Sequence, residues 1–159
     1  MSGTEAAGLS AMIMAAGMGT RMLPLTENRP KPLIRVAGTT LLDHVLDHLR
    51  KAEVGRIVVN VHYLPNMIEA HLAENAADMA VTISDERALL RDTGGGLLQA
   101  RDLIAGDPFL CVNADNWWTD GREKAVERLA RAWDAARMDV LMLVVPFERA
   151  GNTQGTGDY

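Results

Sequence analysis

The order of apolar segments predicts an α/β protein, a Rossmann-like three-layer sandwich around a mainly parallel central sheet. Short apolar or β-branched runs alternate with longer segments whose apolar residues recur at helical spacing. Strands that alternate with helices form crossover units, which make successive strands parallel and cover both faces of the sheet. The length of 159 residues is typical of one domain.

The predicted strands are short apolar runs bounded by turn residues. The first, 9–15, ends just before Gly17, and the second, 56–61, is rich in β-branched residues. Cys111 is expected to be an inert core thiol in a central strand. The other three predicted strands are 80–84, 109–113 and 140–145.

The predicted helices have apolar residues on one face. In the first, 40–52, leucines and a valine share one face, and Thr39 or Thr40 could cap its start. Pro65 suits the first turn of the second helix. The remaining predicted helices are 65–75, 96–103 and 122–137, of which the last has the clearest pattern.

Composition excludes several classes of protein. A net charge of −5 argues against a general nucleic-acid binder, and a single cysteine excludes a disulfide framework within the chain. No apolar run reaches the roughly 20 residues of a membrane span, and residues 1–8, a predicted mobile tail, lack the charge of a secretory signal. We therefore expect a cytoplasmic protein with no membrane or nucleic-acid partner.

A glycine-rich, basic loop follows the first predicted strand. Gly17 and Gly19 allow backbone N–H groups to approach phosphate oxygens, while Arg21 and Lys31 add positive charge. The segment 11–41 has four basic residues and one acidic residue, so it is locally positive in an acidic chain. This charge pattern suits an anionic ligand.

Known phosphate-binding motifs fit this loop poorly. A Walker loop needs Gly-Lys-Ser/Thr, which is absent, and a dinucleotide fingerprint has Gly or Ala where Met22 stands. A bare Gly-x-Gly is also consistent with an ordinary tight turn. The glycines alone therefore do not decide between a turn and a phosphate site.

A longer pattern around the glycines is more specific. Ala-Ala-Gly-Met-Gly-Thr-Arg-Met at 15–22 is followed by Pro-Leu-Thr at 24–26 and Pro-Lys-Pro-Leu at 30–33. This pattern resembles the signature of the sugar-1-phosphate nucleotidyltransferases, or nucleoside-diphosphate-sugar pyrophosphorylases. The resemblance covers residues 9–159, as the N-terminal, nucleotide-binding portion of the family's catalytic domain. Within that family, the glycines at 94–96 and the tryptophans at 117–118 most resemble the corresponding residues of N-acetylmuramate-1-phosphate uridylyltransferases and of mannose-1-phosphate guanylyltransferase-like members.

The resemblance implies a set of site residues. Arg21, Lys31 and Asp115 would be catalytic, and Asp115, just after a predicted strand, would bind Mg²⁺, although a lone aspartate there is also typical of a turn. The implied nucleotide-binding residues are Ala15, Ala16, Gly17, Met18, Gly19, Thr20, Arg21, Lys31, Glu86, Thr93, Gly94 and Asn113.

The implied reaction is attack of a sugar 1-phosphate on the α-phosphorus of a nucleoside triphosphate. It would give a nucleoside-diphosphate sugar for cell-envelope carbohydrate, with release of pyrophosphate. The alternative is a non-catalytic nucleotide- or sugar-nucleotide-binding module; a further alternative keeps the fold but uses a phosphocholine-like acceptor and a cytidylyl donor. The sequence selects neither the base nor the sugar.

The sequence departs from the family pattern in two places. Ala114 stands where the family usually has glycine before the metal-binding aspartate. The family's second metal-binding aspartate and much of its sugar pocket have no counterpart, unless Gly157-Asp158 marks the sugar-side loop. An incomplete sheet would expose an unpaired edge, which would favour homo-oligomers.

Two side-chain pairs are predicted to be structural. His44 and His48, four residues apart, could bind a metal but have no evident third ligand, so we predict a polar helix face. Trp117 and Trp118 could stack on a base or sugar, but one packed and one partly exposed ring is the simpler prediction.

Overall fold

The structure is a computed structural model that describes residues 6–150. Four parallel strands form the main sheet: β1 (Ser10–Met14), β4 (Arg56–Val61), β5 (Val81–Asp85) and β6 (Phe109–Asn113). Their order in the sheet is β5–β4–β1–β6, so β1 lies between β4 and β6. Two short antiparallel strands, β2 (Arg35–Val36) and β3 (Thr39–Thr40), form a separate ribbon.

Three helices connect strands of the described chain, and a fourth follows β6. They are α1 (Leu41–Lys51), α2 (Pro65–Asn75), α3 (Thr93–Ala100) and α4 (Ala125–Ala132). Thr40, rather than Thr39, caps α1, because its hydroxyl oxygen accepts a 3.0 Å bond from the backbone N–H of Asp43. Among the described residues, no helix is long and apolar enough to cross a membrane.

Alternation along the strands divides the core into two parts. Ala11 and Ile13 of β1 pack in the larger cluster, together with α1, α2 and Val126 of α4. Met12, which points to the other face, packs with Val58 and with Ala100 of α3. Helices therefore cover both faces of the sheet, which confirms the predicted three-layer sandwich.

Most element boundaries agree with the sequence prediction. The bounds of β4, β6 and α2 are those predicted. Helix α3 begins three residues earlier than expected, and α4 is shorter at both ends than the predicted 122–137. The packed part of the chain includes Ala6, which is fully buried although residues 1–8 were expected to be a tail. The rest of that tail, 1–5, and Gly157-Asp158 lie outside the described residues.

The predicted fifth strand is wrong. Residues 140–145 form no strand, and Val140 is 77% exposed. An extended apolar run becomes a strand only when a neighbouring backbone takes its hydrogen bonds. In the described part of the chain residues 140–145 pair with no strand, and the outer edge of β6, which pairs with β1 alone, stays unpaired.

The prediction of a central strand around Cys111 is also wrong. Strand β6 is an edge strand of the described sheet, and Cys111 is exposed on it. Residual burial of the thiol among its neighbours still raises the pKa of Cys111 above its ordinary value. The expected core position is therefore wrong, whereas the raised pKa, which lowers the fraction of reactive thiolate, agrees with an inert thiol.

Candidate active site

A cleft of about 470 Å³ opens at the carboxyl ends of β1 and β6. Ligands of parallel α/β sheets usually bind at this end of the strands. Three loops contribute to its wall: the first follows β1, the second lies between β5 and α3, and the third follows β6. The predicted site residues that line it are Ala15, Ala16, Gly17, Arg21, Lys31, Thr93, Asn113 and Asp115.

Several predicted site residues lie outside the lining of this cleft. They are Met18, Gly19, Thr20, Glu86 and Gly94. Sequence reasoning also missed lining residues, namely Met14, Pro32, Asn60, Leu90, Arg91, Asp92 and Ala114. Most of these stand beside a predicted residue, so extending each motif by one or two positions would have found them. Asn60 is the exception, and its only signal is an amide within the apolar strand β4.

The first loop is fixed by contacts at its far end. Gly19 has φ +66° and would clash with the Thr26 side chain at 2.9 Å if it carried a Cβ. The Thr26 hydroxyl donates a 2.8 Å bond to the Gly19 carbonyl, and Tyr63 donates to the carbonyls of Thr26 and Glu27. Gly19 therefore shapes the loop, while Gly17 lies at the cleft.

Arg21 projects from a single 3-10 turn, Thr20–Met22, at the edge of the cleft. Its side chain makes no hydrogen bond or ion pair with any other described residue. A guanidinium offers five donors in a planar fork that matches phosphate oxygens. Arg21 is thus a cation at the cleft whose donors are available to a ligand.

Lys31 and Asp115 meet across the cleft. Lys31 begins a 3-10 turn after Pro30, and Asp115 follows the end of β6. The Lys31 ammonium donates directly to the Asp115 carboxylate, and both side chains are partly exposed. The structure therefore brings together two predicted catalytic groups that are 84 residues apart in the sequence.

The second loop contributes to the cleft differently from the prediction. Thr93 lines it at the start of α3, together with Leu90, Arg91 and Asp92. Glu86 instead lies beneath the surface at 1% exposure, and its carboxylate accepts a 3.1 Å bond from the backbone N–H of Arg91. Glu86 thus reaches the cleft only through the residues that it holds.

The third loop is anchored by the histidines of α1. The His48 ring stacks on Trp118 at a centroid distance of 4.0 Å, and its Nδ1 lies 3.0 Å from the Asp120 carboxylate. His44 meets Trp117 edge to face at 6.2 Å. The expected pair of one packed and one exposed tryptophan is confirmed, since Trp117 is 53% exposed. The histidine face is not simply solvated, because it supports the loop that begins at Asp115.

The donors at the cleft fit a magnesium ion that is bound with its substrate. Within residues 6–150, no group of three or more histidine, cysteine or acidic side chains could hold a metal. Mg²⁺ in phosphate-transfer sites commonly takes one or two carboxylates, with phosphate oxygens and water completing its shell. Asp115 could supply one such carboxylate.

The chain is similar to curated bacterial and eukaryotic transferases. It is 45% identical to the N-acetylmuramate alpha-1-phosphate uridylyltransferase of Caulobacter vibrioides, over 93% of this chain and 62% of the relative. It is 44% identical to the enzyme of the same name from Neisseria meningitidis, over 67% of this chain and 47% of the relative. The mannose-1-phosphate guanylyltransferase catalytic subunit beta of Dictyostelium discoideum is 33% identical, over 67% of this chain and 30% of the relative. The chain thus spans less than two thirds of the relatives' length.

Solved structures share the fold. A UDP-glucose pyrophosphorylase complexed with UDP-glucose superposes with a TM-score of 0.67 at 18% identity, over 78% of this chain and 52% of that chain. A CTP:phosphocholine cytidylyltransferase from Streptococcus pneumoniae superposes with a TM-score of 0.60 at 26% identity, over 74% of this chain and 49% of that chain. The sequence profile of the nucleotidyl transferase family matches residues 10–152. This chain therefore belongs to the nucleotidyl transferase family.

Proposed function

We propose that the protein transfers a nucleoside monophosphate from a nucleoside triphosphate to a sugar 1-phosphate, giving a nucleoside-diphosphate sugar and pyrophosphate. The observation that carries this proposal is the convergence of Arg21, Lys31 and Asp115 on one cleft beside the Gly17 loop. The relatives named above are enzymes by name, and nothing in residues 6–150 favours the non-catalytic alternative.

The reaction asks little covalent chemistry of the protein. The attacking oxygen belongs to a phosphate that is already anionic, so no general base is needed. Catalysis then depends on positioning and on neutralising negative charge. Basic side chains at the rim and backbone N–H groups of the glycine loop are suited to that task.

Lys31 must exchange its partner when nucleotide binds. An exposed lysine–carboxylate pair is worth only about 0.2–1 kcal/mol, and a phosphate offers the ammonium charge-assisted hydrogen bonds of the same kind. The pair with Asp115 is therefore readily given up. In the proposed complex Lys31 holds a phosphate near the reacting phosphorus, and Arg21 holds the pyrophosphate that leaves.

We propose Mg²⁺ as the cofactor and Asp115 as its protein ligand. When bound, the ion would neutralise phosphate charge and orient the leaving group. The role of Asp115 is to provide the anchoring carboxylate at a fixed position after β6, where the Ala114 N–H donates a 3.0 Å bond to the Met14 carbonyl.

The most similar of the relatives described above suggest the substrates. The names of these enzymes point to UTP and N-acetylmuramate α-1-phosphate, with GTP and mannose 1-phosphate as the next pair. We also propose a cytoplasmic location, which suits an acidic chain with a single cysteine. Pyrophosphate release with Mg²⁺ tests the substrate assignment, with UTP, GTP, dTTP and CTP each paired with several sugar 1-phosphates and with phosphocholine.

The assay compares the 159-residue chain with the complete reading frame that encodes it. Turnover with a sugar 1-phosphate by either form supports the proposal. Turnover only with CTP and phosphocholine would replace it by cytidylyl transfer, and nucleotide binding without any turnover would replace it by the binding-module alternative.

Charge-removing variants test the site itself. Arg21→Ala should lower the rate by on the order of 10²–10³, as for other preorganised charge stabilisers, and Asp115→Asn by a similar factor. The matched controls are Arg29→Ala, on the same loop, and Asp139→Asn; both residues are exposed and outside the cleft. Near-normal turnover by Arg21→Ala would contradict the assigned role.

A further inference from the structure

Two polar side chains are buried beneath the floor of the cleft. Asn60 on β4 and Glu86 just after β5 are each 1% exposed. The Asn60 amide donates a 2.8 Å bond to one oxygen of the Glu86 carboxylate. Both residues also bond outward, to the backbone of the two loops that form opposite walls of the cleft.

The outward bonds reach one residue on each wall. The Asn60 side-chain oxygen accepts a 2.6 Å bond from the N–H of Ala15, at the start of the glycine loop. The second Glu86 oxygen accepts from the N–H of Arg91, in the loop before α3. A continuous hydrogen-bonded chain thus joins Ala15, Asn60, Glu86 and Arg91 across the sheet.

The donors and acceptors of this hydrogen-bonded chain require one amide and one carboxylate between its two ends. Both ends, Ala15 and Arg91, are backbone N–H donors, so the two side chains between them must present an acceptor at each end and share one proton donor. Asparagine with a glutamate carboxylate meets that requirement. Asparagine with glutamine leaves one donor facing a donor, and two carboxylates repel each other unless one of them binds an additional proton.

Close packing against α3 restricts the hydrogen-bonded side chains of Asn60 and Glu86. Gly96 of α3 lies so close that a Cβ would sit 2.9 Å from the Glu86 carboxylate and 3.1 Å from the Asn60 amide nitrogen. No room remains for either side chain to take another rotamer toward α3. The three hydrogen bonds therefore add a side-chain connection between the two walls to the backbone pairing of β1, β4 and β5.

We propose that Asn60 and Glu86 are positioning residues that set the separation of the Ala15 and Arg91 walls, and thereby preform the nucleotide cleft. The inference rests on the proposed function. A buried polar pair that includes a charge rarely makes a protein more stable than an apolar pair of similar volume would. A geometric role explains why polar groups stand here.

Four variants of the active form of the protein test the proposal. Glu86→Gln and Asn60→Asp each break one bond of the chain. The double variant Asn60→Asp/Glu86→Gln reverses the central bond and restores all three. Asn28→Asp is the matched charge control, because Asn28 is exposed and outside the cleft. KM for the nucleoside triphosphate, kcat and the urea midpoint are measured for each.

We expect each single variant to raise KM for the nucleoside triphosphate by about tenfold, the effect of one lost buried hydrogen bond, with a smaller change in kcat. The double variant should recover most of that loss, and Asn28→Asp should leave KM unchanged. Single variants that lose stability but keep the wild-type KM would overturn the proposal, as would a double variant no better than the product of the single effects.

Glu86→Gln is isosteric and carries the test if Asn60→Asp does not fold. In that case a raised KM in folded protein supports the proposal, and an unchanged KM overturns it. Absence of turnover by the wild type with every substrate pair would instead reject the proposed function. Turnover by the wild type together with unchanged KM in the variants would reject this inference alone.

Discussion

Replacing Gly96 with alanine should destabilise the protein, although alanine is the better helix former. Gly96 is buried in α3, and a Cβ at this position would meet Glu86 at 2.9 Å, Asn60 at 3.1 Å and Met14 at 3.2 Å. Contacts this short from three directions cannot be relieved by moving one flexible side chain. The Asn60–Glu86 hydrogen bond would have to shift or break.

The size of each free-energy contribution decides whether Gly96→Ala stabilises or destabilises the protein. Alanine gains up to about 1 kcal/mol over glycine from helix propensity. Overpacking of a well-packed site costs about 1–3 kcal/mol, and a buried polar group left without its partner costs about 1–3 kcal/mol more. Subtracting the gain from the two costs, we expect Gly96→Ala to lower the free energy of unfolding by about 1–5 kcal/mol.

Gly94→Ala is the matched comparison, because Gly94 lies in the same helix and a Cβ added there would have nothing within 4 Å. That variant should be neutral or up to about 1 kcal/mol more stable. Urea unfolding followed by circular dichroism measures both, at equal m-values. A Gly96→Ala protein as stable as Gly94→Ala would refute the close packing of α3 on the Asn60–Glu86 pair.

Two further variants test local features away from the cleft. Thr40→Ala should lower the free energy of unfolding by about 0.5–2 kcal/mol by removing the cap of α1, and Thr40→Ser should retain most of it, both measured by urea midpoint. The hydrogen bond from Arg50 lowers the pKa of Asp78 below its ordinary value of 3.8. The stabilisation it gives is therefore present above pH 3.8 and is lost as the pH falls through the lowered pKa. Wild type should exceed Asp78→Asn in urea midpoint at neutral pH, with the difference closing in acid; a constant difference across that range would contradict the assignment.

Local signals in the sequence were sufficient for much of the fold. The β-branched run of β4 and the proline at the start of α2 place these elements at their observed bounds. The alternation of strands and helices leads directly to a parallel, three-layer arrangement, because crossover connections permit few others. The motif from Ala15 to Leu33 was specific enough to indicate the family and the residues of the cleft.

Features that depend on residues far apart in the sequence could not be predicted from local sequence signals. Residues 140–145 have a strand-like composition, but a strand also requires pairing with a neighbouring strand, and in the described part of the chain these residues pair with none. Cys111 was assigned to the core because its strand is apolar, yet β6 is at the edge. In both cases the deciding quantity is strand order, which local composition does not contain.

The sequence by itself determined most of the secondary-structure pattern, the family and eight of the residues that line the cleft, including Arg21, Lys31 and Asp115. Only the tertiary structure decided how those groups are arranged. Lys31 contacts Asp115, His48 of α1 stacks on Trp118, and the buried Glu86 carboxylate accepts a hydrogen bond from the Arg91 N–H. The hydrogen-bonded chain through Asn60 was likewise visible only in space. The physical reason is that hydrogen bonds and ion pairs depend on distances of about 3 Å between atoms, and folding sets those distances between residues far apart in the chain.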